Sequence, residues 1–221
     1  TRCSRDWSSD VCSSDLIADA PLVLVVNPAT GVTNGAQLRS WVSANKGKLA
    51  YGSWGIGTIA HMSAFRLSEL MHGDMTHITY KGEAPLIQDL IGGNIPMSFA
   101  SGAVAGQFIA TGKLKAIGVL GPKRIASMPE VPTLSEAGFD DPLLRAVGWV
   151  GVAAPAGTPK PLVDRLAQAV EAWVATPAAQ KRIHDVGWSL AYQGPAEFTE
   201  TYKREAPVWE AAVKQSGATI E

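Results

Sequence analysis

The chain has 221 residues, a formal net charge of −1 and an apolar fraction of 46%. This length can bury a sizeable core, and the balanced charge argues against nucleic acid or an anionic membrane surface as the main partner. No apolar run approaches the ~20 residues that a membrane helix needs, so we do not expect the chain to be embedded in a membrane.

The first segment, residues 1–16, differs from everything that follows it. Ser-Ser-Asp occurs twice there, apolar residues are sparse, and neither a helical nor a strand period is visible. Both cysteines, Cys3 and Cys12, also lie in this segment. We predict a non-native leader outside the fold. A natural disordered tail, or a metal or disulfide role for the two cysteines, is the alternative.

From residue 17 onward, strand-like and helix-like segments alternate. The run Leu22–Val26 is continuously apolar, which is typical of a strand buried on both faces. Hydrophobic periods and capping residues then predict a strand before Gly52 and further strands at 75–80, 95–99 and 114–120. They also predict helices at 36–45, 59–71, 84–91 and 103–111. This order predicts an α/β fold, with a mostly parallel sheet and helices on both of its faces.

The second half of the chain begins with a connection rich in proline and glycine, residues 121–147, with a short helix predicted at 134–137. Strands are predicted at 147–153 and 188–192, and helices at 161–175, at 177–186 and from 195 onward. Pro207 should kink or split the last helix. Wide apolar faces are expected on the first and last of these helices, which contain Leu166, Trp173, Phe198, Trp209 and Val213.

The most informative stretch is residues 48–61, which read as a short strand, a glycine-rich turn and the opening of a helix. Gly52, Gly55 and Gly57 allow a tight turn that brings backbone N–H groups close to a ligand. Thr58 is a suitable N-cap, and a helix N-terminus attracts anions. We interpret the loop as a cradle for a carboxylate or a phosphate. An ordinary strand-to-helix connection is the alternative.

Four side chains near this loop are further candidates. Ser53 lies outside any Gly-x-Ser-x-Gly motif, so we interpret its hydroxyl as a donor to an anion and not as a nucleophile. His61 is either a ligand contact or a local capping residue, and the helix dipole favours its neutral form. Tyr80 could close on a ligand and Lys81 could supply positive charge. An ordinary strand-end residue and an exposed lysine are the alternatives.

No catalytic set is evident in the sequence. There is no nucleophile–base pair, metal-ligand cluster or cofactor box, so we expect no turnover, no metal and no cofactor. The rival hypothesis is a dinucleotide-binding oxidoreductase, because Gly55-x-Gly57-x-x-Ala60 meets the loose form of that fingerprint. Such a protein needs an acidic residue at the end of the next strand to bind the ribose. Residues 78–81 contain none.

Several motifs in the right order carry a family resemblance. They are Tyr51-Gly52-Ser53-x-Gly55-x-Gly57-x-x-x-His61, Tyr80-Lys81-Gly82, Asp89-Leu90-x-Gly92-Gly93, Met128-Pro129-Glu130-Val131-Pro132-Thr133-Leu134-x-Glu136-Ala137-Gly138 and Trp149-x-Gly151-x-x-Ala154-Pro155-Ala156-Gly157-Thr158-Pro159. Together they are similar to the substrate-binding proteins of tripartite tricarboxylate transporters, the Bug family. The resemblance covers residues 20–219.

The resemblance implies a two-lobe periplasmic-binding-protein-like fold (type II) that captures a small carboxylate. It also implies a periplasmic location and, as partners, the membrane components of the transporter. A protein that presents its ligand to a sensor would use the same site. The ligand-binding residues that this predicts are Gly52, Ser53, Gly55, Gly57, Thr58, His61, Tyr80, Lys81, Gly82 and Ser101.

Two departures from the family pattern affect these expectations. The family's N-terminal glycine-rich loop has no counterpart here, so we expect residues 17–144 to form the second lobe and 145–221 the C-terminal half of an incomplete first lobe. Uncovered apolar faces should then weaken ligand binding and favour self-association. In addition, Ala100 stands where many relatives carry an acidic residue, which makes a cationic amine on the ligand less expected.

Overall fold

The computed structural model describes residues 11–155 and 157–218. They divide into two compact units. The first contains the chain up to Ala20 together with Trp149–Ala206, and the second contains Pro21–Gly148 together with the chain from Pro207 onward. The sequence predicts a single boundary after residue 144. The last helix instead divides between the units, because Ala212 packs with Met62 and Leu143 of the second one.

Strands and helices alternate through most of the described chain. The strands are β1 (Val11–Asp19), β2 (Leu22–Val26), β3 (Ala50–Ser53), β4 (Thr76–Thr79), β5 (Met97–Ser101), β6 (Lys115–Val119), β7 (Trp149–Pro155) and β8 (Ser189–Gln193). The helices are α1 (Gly35–Ala44), α2 (Ile59–Leu70), α3 (Glu83–Gly92), α4 (Gly102–Ala110), α5 (Pro142–Arg145), α6 (Lys160–Val174), α7 (Pro177–Asp185) and α8 (Pro195–Ser216).

The second unit is built on a five-stranded sheet in the order β4-β3-β5-β2-β6. The pairings of β3 with β4 and β5 are parallel, as the alternation of strands and helices predicts. In contrast, β2 pairs antiparallel with both β5 and β6. This strand is inserted between two strands that α4 connects, and the order of elements along the chain does not reveal such an insertion.

Strand β2 carries the centre of this unit. Leu22, Leu24 and Val26 face one apolar cluster, and Val23 and Val25 face another on the opposite side of the sheet. The predicted burial of this strand on both faces is therefore confirmed. Helices α1 and α2 contribute to the first cluster, while α3 and α4 contribute to the second.

The neighbouring strands β4, β3 and β5 run in one direction, so their carboxyl ends lie at one edge of the sheet. Each of them is followed by a helix: β3 by α2, β4 by α3 and β5 by α4. Three helix N-termini therefore meet this edge. In open α/β sheets such an edge is the usual place for a ligand.

The first unit contains a three-stranded sheet in which β1 lies between β7 and β8, and both pairings are antiparallel. The composition of residues 1–16 predicts a leader outside the fold. For residues 11–16 this prediction is wrong, because they form most of β1 and Leu16 is buried. Backbone pairing on both sides of a strand overrides the weak β propensity of serine and aspartate. Residues 1–10, with Cys3, lie outside the described residues.

Local signals are confirmed at some positions and not at others. Thr58 caps α2 as predicted, and Asn34 caps α1. The short helix predicted at 134–137 is wrong, since that segment forms turns and the short helix is α5. Helix α8 continues past Pro207, so of the two predicted effects the split is wrong and the kink stays a prediction. None of the helices in the described part of the chain combines the length and apolar character needed to cross a membrane.

The apolar faces expected on the helices of the first unit are covered unevenly. Phe198 is buried and meets Trp149 edge to face, with ring centroids 4.9 Å apart. Leu166 and Trp173 of α6 are 37% and 46% exposed. The expectation that these apolar residues are uncovered thus agrees with the structure on α6 but not at Phe198.

Candidate anion-binding site

The predicted cradle lies between β3 and α2, at the shared carboxyl edge of β4, β3 and β5. Gly57 has φ of +76°, a left-handed conformation that favours glycine. Thr58 caps α2, because its hydroxyl accepts from the His61 N–H at 3.4 Å. The cap is therefore confirmed. The N–H groups of Gly55 and Gly57, which the sequence analysis offers to a ligand, donate instead to Ser53 Oγ and His61 Nδ1.

The loop turns one carbonyl inward. The oxygen of Gly55 accepts from Ser53 Oγ at 3.0 Å, from Thr58 Oγ1 at 2.7 Å and from Thr58 N at 3.4 Å. Within residues 11–155 and 157–218, the N–H groups of Ile56, Ile59 and Ala60 have no hydrogen-bond acceptor. A loop that holds a carbonyl inside and leaves N–H groups at a helix start without acceptors has the polarity of an anion-binding site, and of these three residues Ala60 is fully buried.

Ser53 is fully buried, so its hydroxyl faces the protein interior. Its oxygen lies 2.7 Å from His77 Nε2 and 3.3 Å from Gly55 N. The hydroxyl donates to the Gly55 carbonyl, so we assign it as the acceptor from the Gly55 N–H and from His77 Nε2–H. Ser53 thus fixes the shape of the loop from below, and its predicted contact with a ligand stays a prediction.

His61 is 6% exposed and belongs to a stack of three rings. Its Nδ1 accepts from the Gly57 N–H at 3.2 Å, so that nitrogen carries no proton. The His61 and His77 ring centroids are 3.9 Å apart, and His77 also stacks on Tyr51 at 5.2 Å. Burial lowers the pKa of His61. Burial and the neighbouring His61 lower the pKa of His77 to about 4.

His77 is a residue that the sequence analysis missed. It lies in β4, directly opposite Tyr51 in the parallel pairing. A histidine in a strand, outside any known motif, does not indicate a functional role from the sequence alone. Only the register of β3 against β4 brings it beneath the loop. It therefore supports Ser53 and His61 from the next strand.

The predicted site residues that follow β4 are Tyr80, Lys81 and Gly82. The Tyr80 N–H donates to the Ser53 carbonyl at 2.8 Å, and its hydroxyl donates to Asp89 at 2.9 Å. Burial, with the Asp89 carboxylate, raises the pKa of Tyr80 to about 12. Lys81 is exposed. Gly82 precedes α3 with φ of +105° and provides no side-chain cap.

Ser101 has a partner that the sequence analysis also missed. Its N–H donates to Glu83 Oε1 at 2.6 Å, and its hydroxyl donates to Glu83 Oε2 at 2.9 Å. Glu83 is the first residue of α3, and Ser101 is the N-cap of α4. An acidic residue in a first helical turn is a common stabilising feature, so Glu83 alone gave no functional signal.

Gly52 allows neighbouring side chains to pack closely against β3. A Cβ at this position would collide with the side chains of Leu86 and Ile95. Of the predicted site residues, Ser53, Gly55, Gly57, Thr58 and His61 form one hydrogen-bonded cluster. Tyr80 joins that cluster through the Ser53 carbonyl, whereas Ser101 bonds to Glu83.

A second concave region of the second unit lacks the features of a binding site. A cavity of about 680 Å³ lies at the opposite edge of the sheet, beside the start of α1 and of β6. Its polar side chains are exposed or already bonded, as with Glu136, which pairs with Arg124 at 2.9 Å. Among the described residues, no three His, Cys, Asp or Glu side chains come together to hold a metal ion.

We predict that Ser53→Ala weakens anion binding about fivefold, because the loop loses a neutral hydrogen-bonding group worth about 1 kcal/mol. We expect this effect to be indirect, because Ser53 fixes the conformation of the loop. The affinity should therefore fall by a similar factor for every carboxylate tested by calorimetry. A loss confined to one carboxylate would indicate a direct contact instead. Ser40→Ala, on the exposed face of α1, provides the matched control.

Known proteins resemble this chain along most of its length. A family model described as "Tripartite tricarboxylate transporter family receptor" matches residues 7–217. A "UPF0065 protein in tcbD-tcbE intergenic region" of Pseudomonas sp. (strain P51) is 31% identical over 198 residues, which cover 90% of this chain and 59% of that protein. The chain spans about three fifths of the length of the curated relatives it matches.

Solved structures give the same picture. "Periplasmic binding protein BugD" has a TM-score of 0.81 at 29% identity, covering 96% of this chain and 71% of that chain. "R. palustris Rpa4515 with adipate" has a TM-score of 0.83 at 25% identity, covering 96% and 70%. The predicted α/β fold of the periplasmic-binding-protein type is confirmed by these likenesses.

Proposed function

This chain belongs to the tripartite tricarboxylate transporter receptor family, and from that premise we propose that it captures a small carboxylate in the periplasm. The captured ligand would then pass to the membrane components of such a transporter. A structural neighbour described as a periplasmic binding protein supports the proposed location, and another described with adipate supports the proposed class of ligand. In this proposal residues 21–148 carry the carboxylate cradle.

One observation carries the proposal. The loop between β3 and α2 holds the Gly55 carbonyl inside and leaves the N–H groups of Ile56, Ile59 and Ala60 without acceptors among the described residues. A carboxylate is small and acceptor-only, so it matches a set of backbone donors at a helix N-terminus. We propose binding without turnover. Ser53 lies beside His77, but its hydroxyl is fully buried and donates to the Gly55 carbonyl, so it is not placed to act as a nucleophile.

The dinucleotide hypothesis fits the same loop less well. Its fingerprint needs an acidic side chain at the end of the strand after the first helix. Here β4 ends at Thr79, and neither Thr79 nor the next two residues, Tyr80 and Lys81, are acidic. The Asp89 carboxylate further along the chain already accepts a hydrogen bond from the Tyr80 hydroxyl. The family membership favours carboxylate capture over a nicotinamide cofactor.

The test is a calorimetric screen of mono-, di- and tricarboxylates, with NAD and NADP as rival ligands. We expect at least one small carboxylate to bind with a Kd in the micromolar to millimolar range and neither dinucleotide to bind. Binding of a dinucleotide that is lost in Gly55→Val, with no carboxylate bound, would overturn the proposal. Fusing the chain to the N-terminal part of a full-length relative gives a second protein for the same screen.

A further inference from the structure

A cavity of about 370 Å³ lies beside the ring stack, within the second unit. Four rings and one thioether line it, from Tyr51, His61, Phe65, His77 and Met75. Residues 216–218, at the end of α8 and just after it, also line it. Its volume lies in the range of small-molecule sites, and such sites combine an apolar wall with a few placed polar groups.

Three polar atoms of the cavity wall have no partner. They are the Tyr51 hydroxyl, His61 Nε2 and His77 Nδ1, none of which bonds to another described residue. Tyr51 is 2% exposed and His61 6%. In residues 11–155 and 157–218, the one fully enclosed side-chain nitrogen or oxygen without a partner is Ser63 Oγ. The three atoms therefore keep a little accessible surface. Because their residues line the cavity, we infer that this surface faces it.

The two imidazoles direct their unused nitrogens away from the loop between β3 and α2. His77 Nε2 bonds to Ser53 Oγ at 2.7 Å, and His61 Nδ1 accepts from the Gly57 N–H at 3.2 Å. The two rings are stacked, with an interplanar angle of 18° and centroids 3.9 Å apart. The two nitrogens of an imidazole lie on different sides of its ring. His61 Nε2 and His77 Nδ1 thus lie together on the side opposite the loop.

The cavity offers hydrogen bonds but no charge. Burial lowers the pKa of both histidines, so both rings are neutral at pH 7. His61 Nε2 then carries a proton and donates, whereas His77 Nδ1 accepts. None of the described residues that line the cavity is Lys, Arg, Asp or Glu. A charged ligand would lose its hydration here without gaining a counter-charge, so the wall favours a neutral one.

We propose that this cavity binds a phenol, a neutral compound with a hydroxyl on a single aromatic ring. The hydroxyl accepts from His61 Nε2–H and donates to His77 Nδ1, which one oxygen can do because the two rings are only 3.9 Å apart. The Tyr51 hydroxyl provides a second donor for the other lone pair. The ligand ring contacts Phe65 and Met75, since aromatic rings and thioethers are favourable neighbours of a ring. This site goes beyond the proposed carboxylate capture, because it takes an uncharged ligand.

The test uses five small compounds that separate the contributions of the ligand. Phenol has the ring and a hydroxyl that both donates and accepts. Anisole accepts but cannot donate, and benzene does neither. Cyclohexanol has the hydroxyl without the aromatic ring, and benzoate carries a charge. Calorimetry gives the affinities, and nitrogen NMR of protein labelled at its histidines reports whether the ring nitrogens of His61 and His77 are the atoms contacted.

In the wild type we expect phenol to shift the signals of His61 Nε2 and His77 Nδ1. Phenol should bind about fivefold tighter than anisole, because anisole lacks one hydrogen bond, and at least tenfold tighter than benzene. Cyclohexanol should bind about threefold more weakly than phenol, since it loses the contacts between aromatic rings. Benzoate should not displace phenol, whether or not it binds at the loop.

The variants His61→Phe and His77→Phe keep a ring in the stack and remove the nitrogen. In each of them we expect the preference for phenol over benzene to fall below threefold. This ratio is measured within one protein, so a general loosening of the cavity affects both compounds alike. His184→Phe, which replaces an exposed histidine of the first unit, is the matched control and should keep the wild-type ratio. Circular dichroism checks that each variant folds.

Each contrary result has a distinct meaning. A wild-type protein whose histidine signals do not respond to phenol would overturn the proposal and leave the cavity to water. A preference for phenol that survives in both variants would show that the hydroxyl is not held by the imidazoles. Displacement of phenol by benzoate would exclude a site for neutral ligands. The wild-type series tests the ligand class by itself, so the unfolding of one variant leaves the proposal testable, and the carboxylate screen decides the capture proposal separately.

Discussion

Replacing Gly57 by valine is expected to abolish measurable carboxylate binding, with a loss of affinity of about 100-fold or more. Gly57 has φ of +76°, where a β-branched residue is strained by roughly 1–3 kcal/mol. Its N–H also donates to His61 Nδ1, so a change of backbone conformation releases the loop from α2. Each misplaced N–H that meets a charged ligand costs a further ~1.5 kcal/mol or more.

The experiment compares Gly57→Val with Gly31→Val by calorimetry, using whichever carboxylate the wild type binds best. Gly31 has φ of +71° and open space around the position of a Cβ, so it carries the same backbone strain away from the cradle. Circular dichroism checks that both variants fold. A folded Gly57→Val protein with wild-type affinity would exclude this loop as the anion site.

The sequence was sufficient to predict the parts of the site that depend on neighbouring residues. The threonine cap depends only on nearby residues, and Thr58 caps α2 as predicted. The tight turn is also local, and Gly57 makes it in a left-handed conformation. The three helix N-termini at one sheet edge follow from the alternation of β3, β4 and β5 with helices. Such features need no knowledge of the register between strands.

What the sequence did not provide depends on contacts between distant segments. His77 lies beneath the loop only because β4 pairs with β3 in one particular register. Glu83 bonds to Ser101 only because β5 lies on the other side of β3. Residues 11–16 join a sheet because β7 and β8 flank them, although their composition favours loops. None of these pairings leaves a pattern within a single segment.

The stack of His61 and His77 should make the second unit less stable in acid. The pKa of His77 is lowered from its ordinary value of 6.5 to about 4, chiefly by burial. Between these two values the unfolded chain binds a proton that the folded chain does not, so the free energy of unfolding falls as the pH falls. His61 contributes in the same direction, because burial lowers its pKa also.

From pH 7 to pH 5 we expect His77 to lower the free energy of unfolding by roughly 2 kcal/mol, since each pH unit below 6.5 contributes about 1.4 kcal/mol. Below pH 4 this contribution stops growing, because both states are then protonated. Urea unfolding at pH 7 and pH 5 measures the loss. In His77→Gln, which cannot take up that proton and can still bond to Ser53, the loss should be smaller by about that amount.

The matched control is His184→Gln, which removes an exposed histidine in the first unit. It should leave the difference between pH 7 and pH 5 at its wild-type value. Carboxyl groups also titrate towards pH 5, so the decisive quantity is the difference between His77→Gln and the wild type. An identical loss of stability in these two proteins would mean that folding does not lower the pKa of His77. Protonation of His61 would also remove the acceptor of the Gly57 N–H, so carboxylate affinity measured on the same samples reports whether the loop changes with the stack.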